Sequence, residues 1–143
     1  MFAALRAWLE AGADALTALW TSRKAEGCVR ECHGDLHLAN VVTHDGGVVA
    51  FDCIEFDPAL RWVDVLDDVT FAVMDLDARG RRDLAFRLLN GWLDRTGDHG
   101  GLPALRFSLV YRAGAGAGGT PAPGQQHRGA TLPAGGRWLD TAG

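Results

Sequence analysis

The sequence predicts a mainly helical α+β fold. Three observations carry this. Most of the chain places its apolar residues at three- and four-residue steps, one short pair of β-prone runs brackets a glycine-containing turn, and glycines and prolines punctuate the boundaries between them.

The first helix is expected from Phe2 to Trp20, where Phe2, Leu5, Trp8, Leu9, Leu16, Leu19 and Trp20 fall on one face. Gly12 weakens it slightly. Thr21 to Gly27 reads as a polar link. Val41-Val42-Thr43 and Val48-Val49-Ala50-Phe51, on either side of His44-Asp45-Gly46-Gly47, read as a β-hairpin. Beyond it, Asp57-Pro58 offers a helix cap followed by proline at the first helical position. Leu60, Val63, Leu66, Val69, Val73 and Met74 then define one long helix that Gly80 ends. A further helix is expected from Asp83 to Leu93, closing near Gly97, and Pro103 opens a last one ending around Tyr111. From residue 113 onward the alternating Gly and Ala, with Pro121 and Pro123, lack usable periodicity, so 113–143 is expected to be a disordered tail after a folded unit over 1–112.

Composition narrows the function classes. With 143 residues, 48% hydrophobic and 22% charged, the chain suits one ordinary globular domain. A formal charge of -4 and the lack of any Lys/Arg cluster argue against nucleic-acid binding. Arginine supplies 13 of the 14 basic residues, and Lys24 is the single lysine. The first ten residues show neither a secretory signal nor an apolar run long enough for a membrane span, so a cytoplasmic protein without membrane contact is expected. Cys28, Cys32 and Cys53 form an odd set without framework spacing and are expected as reduced thiols.

The chemistry-bearing stretch runs from Val29 to Asn40 and resumes at Phe51-Asp52. A hairpin returns its second strand beside its first, so Asp52 comes back near Asn40, with Asp35 on the preceding loop facing the same space. Phosphoryl transfer uses such a set. One carboxylate accepts the proton of the attacking hydroxyl, and hard oxygen donors hold magnesium on the phosphates. Asp35 suits the first role, Asn40 and Asp52 the second.

His33-Gly34-Asp35-Leu36, with Asn40 five residues after the aspartate, resembles the kinase catalytic loop with Gly34 in place of the usual arginine. That replacement is similar to the aminoglycoside phosphotransferases. Val29 to Asn40, Phe51 to Phe56 and Leu60 to Gly80 resemble the bacterial branch of that family often fused to a P-loop ATP-binding domain, over roughly Trp20 to Arg112. The resemblance implies the C-terminal lobe of a protein-kinase-like fold, with the hairpin carrying the metal site. ATP and Mg2+ are the implied cofactors, and a small-molecule hydroxyl is the implied acceptor. Asp35 would be the catalytic base, Asn40 a magnesium ligand, and Asp52 the metal-binding aspartate, with Cys53-Ile54 in place of Phe-Gly. His33 is assigned a structural role in fixing the loop backbone, with proton transfer as the alternative. Of Asp64, Asp67 and Asp68, all placed on the long helix, one is implied to brace the catalytic loop, and Asp64 is the choice; a solvated face is the plainer expectation for all three. Glu55 and Asp57 follow the metal aspartate closely and could touch substrate or cation, or form a turn or cap.

Two other enzymatic or metal readings are weaker. Cys28, Cys32, His33 and His37 are too closely spaced to surround a structural zinc ion. Gly34-Asp35-Leu36-His37 echoes a two-metal phosphoesterase, but the Asn-His pair and early Asp-x-His of that pattern are lacking.

The sequence contains neither the lysine and covering loop of a kinase N-terminal lobe nor a Gly-x-x-x-x-Gly-Lys-Ser/Thr stretch. Lys24 lies just before the catalytic loop, where it cannot clamp phosphates. The chain therefore reads as an incomplete phosphotransferase of little activity alone, with an N-terminal lobe or P-loop domain as its expected partner; a truncated lobe acting as a binding module is the alternative. Proteins resembling this branch continue after Tyr-Arg-Ala with Leu-Val-Arg-Ala. Codons compatible with Ala113 to Thr120 read Leu-Val-Arg-Ala-Arg-Val-Ala in the next frame, so a frameshift is the alternative reading of the 113–143 tail.

Overall fold

The computed structural model describes residues 2–116. Four α-helices frame two small antiparallel sheets: α1 (Phe2–Ala25), β1 (Val29–Glu31), β2 (Val41–His44), β3 (Gly47–Ala50), β4 (Trp62–Asp64), α2 (Val65–Ala78), α3 (Arg82–Thr96) and α4 (Leu102–Gly116). Short 3-10 turns occupy Leu38–Asn40, Pro58–Leu60 and His99–Gly101. The domain is α+β and mainly helical. No helix among the described residues is long and apolar enough to cross a membrane.

α2 lies at the centre of the packing, against α3 on one side and α4 on the other. Leu66, Phe71, Val73 and Met74 bury their side chains there with Ala85, Leu89 and Leu93 of α3 and Leu109 of α4. This near-continuous apolar run is what a helix flanked on two sides requires. α1 packs on α4 through Trp8 and Trp20, whose rings lie 6.1 and 5.2 Å from that of Phe107. Gly12 has a positive role in this contact. A Cβ there would meet the Phe107 ring at 2.9 Å, so the glycine lets the two helices approach.

Three boundaries depart from the expectation. α1 continues through most of the predicted link to Ala25, because Ser22, Arg23 and Lys24 are compatible with a last helical turn and the basic pair opposes the carbonyl end of the helix. The cap at Asp57-Pro58 forms, with the Asp57 side chain accepting from the Ala59 N–H, but it starts only one 3-10 turn. Trp62, Val63 and Asp64 then extend to pair with Glu31, Arg30 and Val29, and the long helix begins at Val65. A local cap yields here to strand pairing with a distant segment, which periodicity within one segment does not reveal. Finally, α4 runs past Tyr111 to Gly116, so residues 113–116 of the expected tail are helical; residues 117–143, where the rest of the tail and the frameshift reading fall, lie outside the described residues.

The β2–β3 hairpin forms as expected, with Val42 opposite Val49 and His44 opposite Gly47. Asp45 and Gly46 both take positive φ, 49° and 74°, as a tight two-residue hairpin turn demands.

A buried ion cluster ties the start of α2 to the end of α1. The Arg23 guanidinium, 3% exposed, binds both oxygens of Asp64 at 2.6 and 2.8 Å and both oxygens of Asp98 at 2.6 and 2.7 Å. Asp64 also caps α2, accepting from the Leu66 N–H at 2.9 Å. Gly101 leaves room for this arrangement, since a Cβ there would come within 2.9 Å of the guanidinium and 2.6 Å of Leu66. The guanidinium holds the Asp98 carboxyl below the usual carboxylate range, against the opposing effect of burial.

Removing one partner of such a cluster leaves uncompensated buried charge. Arg23→Ala should lower the unfolding free energy by about 3 kcal/mol, measured in urea; a loss under about 1 kcal/mol would mean the cluster is energetically idle. Because Asp98 is depressed in the folded state, its contribution is full above the ordinary carboxylate pKa and is lost as pH falls through the lower folded value. Acid titration of the unfolding midpoint should thus show a steeper fall below about pH 4 in the native chain than in Asp98→Asn.

Candidate active site

The segment from Cys32 to Asn40 has almost no regular structure, so its shape depends on where its backbone hydrogen bonds go. Two carboxylates of α2 take them. Asp68, 8% exposed, accepts from the His33 N–H at 3.1 Å with one oxygen and the Gly34 N–H at 2.9 Å with the other. Two helical turns on, Asp75 accepts from the Leu38 N–H at 2.8 Å. One edge of the central helix therefore grips the loop at both ends.

Gly34 is required by two independent constraints. Its φ is +83°, and a Cβ would lie 2.7 Å from the Leu60 carbonyl oxygen and 3.2 Å from Ile54. No side chain, arginine included, fits at that place without displacing the backbone of the Pro58–Leu60 turn.

His33 links the loop to the hairpin. Its Nε2 lies 2.6 Å from the Phe51 carbonyl, which only accepts, so this nitrogen carries the proton. Nδ1 is then free to accept from the Asp35 N–H at 3.3 Å. The ring fixes the backbone at both Asp35 and the residue before Asp52.

Asp35 and Asn40 are in direct contact. The Asn40 side chain, in a residue 8% exposed, donates through Nδ2 to the Asp35 carbonyl at 3.0 Å and to its carboxylate Oδ2 at 3.2 Å. That leaves the Asn40 side-chain oxygen without a protein partner among the described residues. His37 completes the group, with Nε2 3.3 Å from the same Asp35 oxygen and its ring edge-on to Phe71 at 5.5 Å. The Asp35 side chain keeps 41% of its surface open.

Asp52 reaches the region by the hairpin return. The Phe51 N–H donates to the Asn40 carbonyl at 2.9 Å, which places Asp52 one residue beyond the backbone partner of Asn40. Its φ of +55° lies in the left-handed region, tolerated better by aspartate than by most residues. The Asp52 side chain makes no hydrogen bond among the described residues, to Asp35 and Asn40 included.

The expectation for Asp64 is corrected. Asp64 lies before α2 and is occupied by Arg23 and the Leu66 N–H, whereas the carboxylate that braces the loop is Asp68. The physical reason is the later start of the helix, which turns Asp64 into its cap and puts Asp68 on the face toward the loop. Asp75 and the Asp35-directed contact of His37 were not foreseen. A signal existed for the acids: Asp68 and Asp75 are seven residues apart and flank the apolar run Phe71 to Met74, where a solvated face would not lie. Asp67 pairs instead with Arg112 at 2.6 Å. Asp57 is a cap, and no role for Glu55 emerges.

Cys28, Cys32 and Cys53 are free thiols. Burial, with the Asp68 charge adding to it, pushes the Cys32 thiol up to about 11. Among the described residues no three His, Cys, Asp or Glu side chains gather as a metal site.

No family model matches the chain, and no solved structure matches it significantly. It is similar to uncharacterized proteins of Mycobacterium bovis (Mb2027c) and Mycobacterium tuberculosis (MT2060 and Rv2004c), each 38% identical over 95 residues. The match covers 66% of this chain and 19% of theirs, so the chain spans about a fifth of the length of the curated relatives it matches.

Asp68→Ala should cost about 1–3 kcal/mol by leaving two loop N–H groups unsatisfied. Hydrogen exchange should accelerate at His33 and Gly34 before it does in α3; unchanged exchange at these amides would show that another group holds the loop. Gly34→Ala, which meets both the φ strain and the 2.7 Å approach, should lower the melting temperature by several degrees for about 2 kcal/mol lost.

Proposed function

We propose that the chain is the catalytic-loop half of an ATP- and magnesium-dependent phosphotransferase, built like the C-terminal lobe of a protein kinase and acting on the hydroxyl of a small molecule. The observation that carries the reading is the Asp35–Asn40 pair: an open carboxylate held through its backbone and one oxygen by an amide whose own oxygen remains free.

In the proposed reaction the Asp35 carboxylate accepts the proton of the acceptor hydroxyl as that oxygen bonds to the γ-phosphorus and the bond to the ADP oxygen breaks. The 41% exposure of Asp35 gives an acceptor access to it. Its other neighbours, Asn40 and His37, hold one oxygen and leave the second to face substrate.

The residues present fit magnesium. The free Asn40 amide oxygen and the unpaired Asp52 carboxylate are hard oxygen donors, and magnesium takes few protein ligands where phosphates and water complete its shell. Bound there, the ion would neutralise phosphate charge during transfer. The left-handed backbone at Asp52 places strain beside this position, as functional sites often do.

The sequence holds no phosphate-clamping lysine or glycine-rich loop, so an N-terminal lobe or a P-loop domain would complete the site from elsewhere. The greater length of the mycobacterial relatives supports this reading.

Calorimetry of magnesium-ATP with the purified chain should show weak binding that Asp52→Ala abolishes and Asp35→Asn retains. Turnover should be orders of magnitude below that of an ordinary kinase, because positioning of the phosphates supplies most of the rate. Equal binding by the native chain and Asp52→Ala, both folded by circular dichroism, would sink the metal assignment. Ordinary turnover by the isolated chain would sink its incompleteness.

A further inference from the structure

The sequence holds two places where an Asp or Asn precedes glycine, Asp45-Gly46 and Asn90-Gly91. In each, the glycine nitrogen can attack Cγ of the preceding side chain and close a five-membered succinimide, a reaction that a bulkier following residue hinders. A Cβ at Gly46 or at Gly91 would meet nothing within 4 Å, so crowding does not separate the two. By side-chain chemistry alone Asn90 reacts faster, because a carboxamide loses ammonia more readily than a carboxyl group loses water. Their surroundings differ.

Gly91 lies inside α3, where its N–H donates to the carbonyl four residues back, so ring closure requires the helix to open first. Asp45 and Gly46 are the two-residue tip of the β2–β3 hairpin. The Gly46 N–H makes no backbone hydrogen bond among the described residues. The Asp45 side chain is 91% exposed, and its contact with His44 Nε2, at 3.4 Å, is to a side chain itself 73% exposed. So open an ionic contact restrains the carboxyl little. The ribbon, with Val42, Val48 and Val49 exposed, also opens at far lower cost than a helix packed in the core.

We propose that Asp45 is a modification site, at which the folded chain rearranges spontaneously to isoaspartate while Asn90 is protected by α3. The Gly46 nitrogen bonds to Asp45 Cγ as a Cγ–O bond breaks, and one water leaves with the amide proton and the acid's own hydrogen. Water then opens the ring. Cleavage of the N–Cγ bond restores aspartate, whereas cleavage between the nitrogen and the Asp45 main-chain carbonyl carbon leaves the chain running through Cβ and Cγ. One water is lost and one regained, so the mass is unchanged and no oxidant or cofactor takes part. The rearranged backbone carries an extra methylene in a turn whose length sets the hairpin register. The Phe51 N–H, which donates to the Asn40 carbonyl at 2.9 Å at the far end of the ribbon, is loosened in consequence. The site is independent of the phosphotransfer reading, since the chemistry uses none of Asp35, Asn40 and Asp52.

The full chain is aged at neutral pH, folded in buffer and unfolded in urea, then cut with trypsin, which places Asp45 in peptide 31–61 and Asn90 in peptide 88–95. Electron-transfer fragmentation locates isoaspartate, and an isoaspartyl methyltransferase with labelled S-adenosylmethionine counts it. In the folded chain, isoaspartate at 45 should exceed all products at 90 by about tenfold or more, since only the helix must open to react. In urea the order should reverse. Asp45→Ser has no carboxyl to cyclise and should lose the methyl label of the folded sample. Hydrogen exchange at Phe51 should quicken in the isoaspartate fraction. No isoaspartate at 45, products mainly at 90 in the folded chain, the same order in urea, or a label retained in Asp45→Ser would each overturn the proposal; unchanged exchange at Phe51 would overturn its effect on the hairpin.

Discussion

A carboxylate in the middle of the protein governs the rest of the site. Asp68 accepts from two successive backbone N–H groups of an otherwise irregular loop, and it can do so because α2 is immobilised by apolar neighbours on both sides. A loop has few means of fixing its own backbone. Here the burial of Leu66, Phe71, Val73 and Met74 is transmitted through one side chain into a defined position for Asp35. Asp64 and Arg23 extend the same logic to the start of the helix, so capping, ion pairing and loop bracing act on one element. The core and the site are two faces of α2.

The sequence makes some of this legible and hides the rest for physical reasons. Helical periodicity locates α1, α3 and α4, since their burial pattern is written within each segment. The hairpin is legible because Asp45-Gly46 demands its turn. The β1–β4 pairing is not, because three-residue strands separated by thirty residues carry no local signal. That omission misplaced the start of α2, and the misplaced start selected Asp64 over Asp68 as the brace. Asp35 and Asn40 lie in contact as their spacing implies, whereas Asp52 stands beside them only through the backbone.

Apolar helix faces and charged contacts divide the labour differently on the two sides of α2. Toward α3 the packing is aliphatic and closed, through Ala85, Leu89 and Leu93. Toward α1 and α4 it is aromatic and charged, with Arg112 5.1 Å over the Phe71 ring and paired to Asp67. A cleft of about 440 Å³ lies on that side, lined by residues of α1, β1, β4, α2 and α4.

The hairpin packs differently again. Among the described residues β2 and β3 contact little besides each other and the Leu38–Asn40 turn, and Val42, Val48, Val49 and Phe51 remain exposed. A lone two-stranded ribbon is marginal in water, so its opening free energy is far smaller than that of the helical core. Asp35 and Asp52 therefore belong to regions of unequal rigidity. One is anchored to the core by Asp68, and the other follows a ribbon that can fray while the core stays folded. Whatever covers that ribbon would change the fraction of time both acids are in place, without altering either of them.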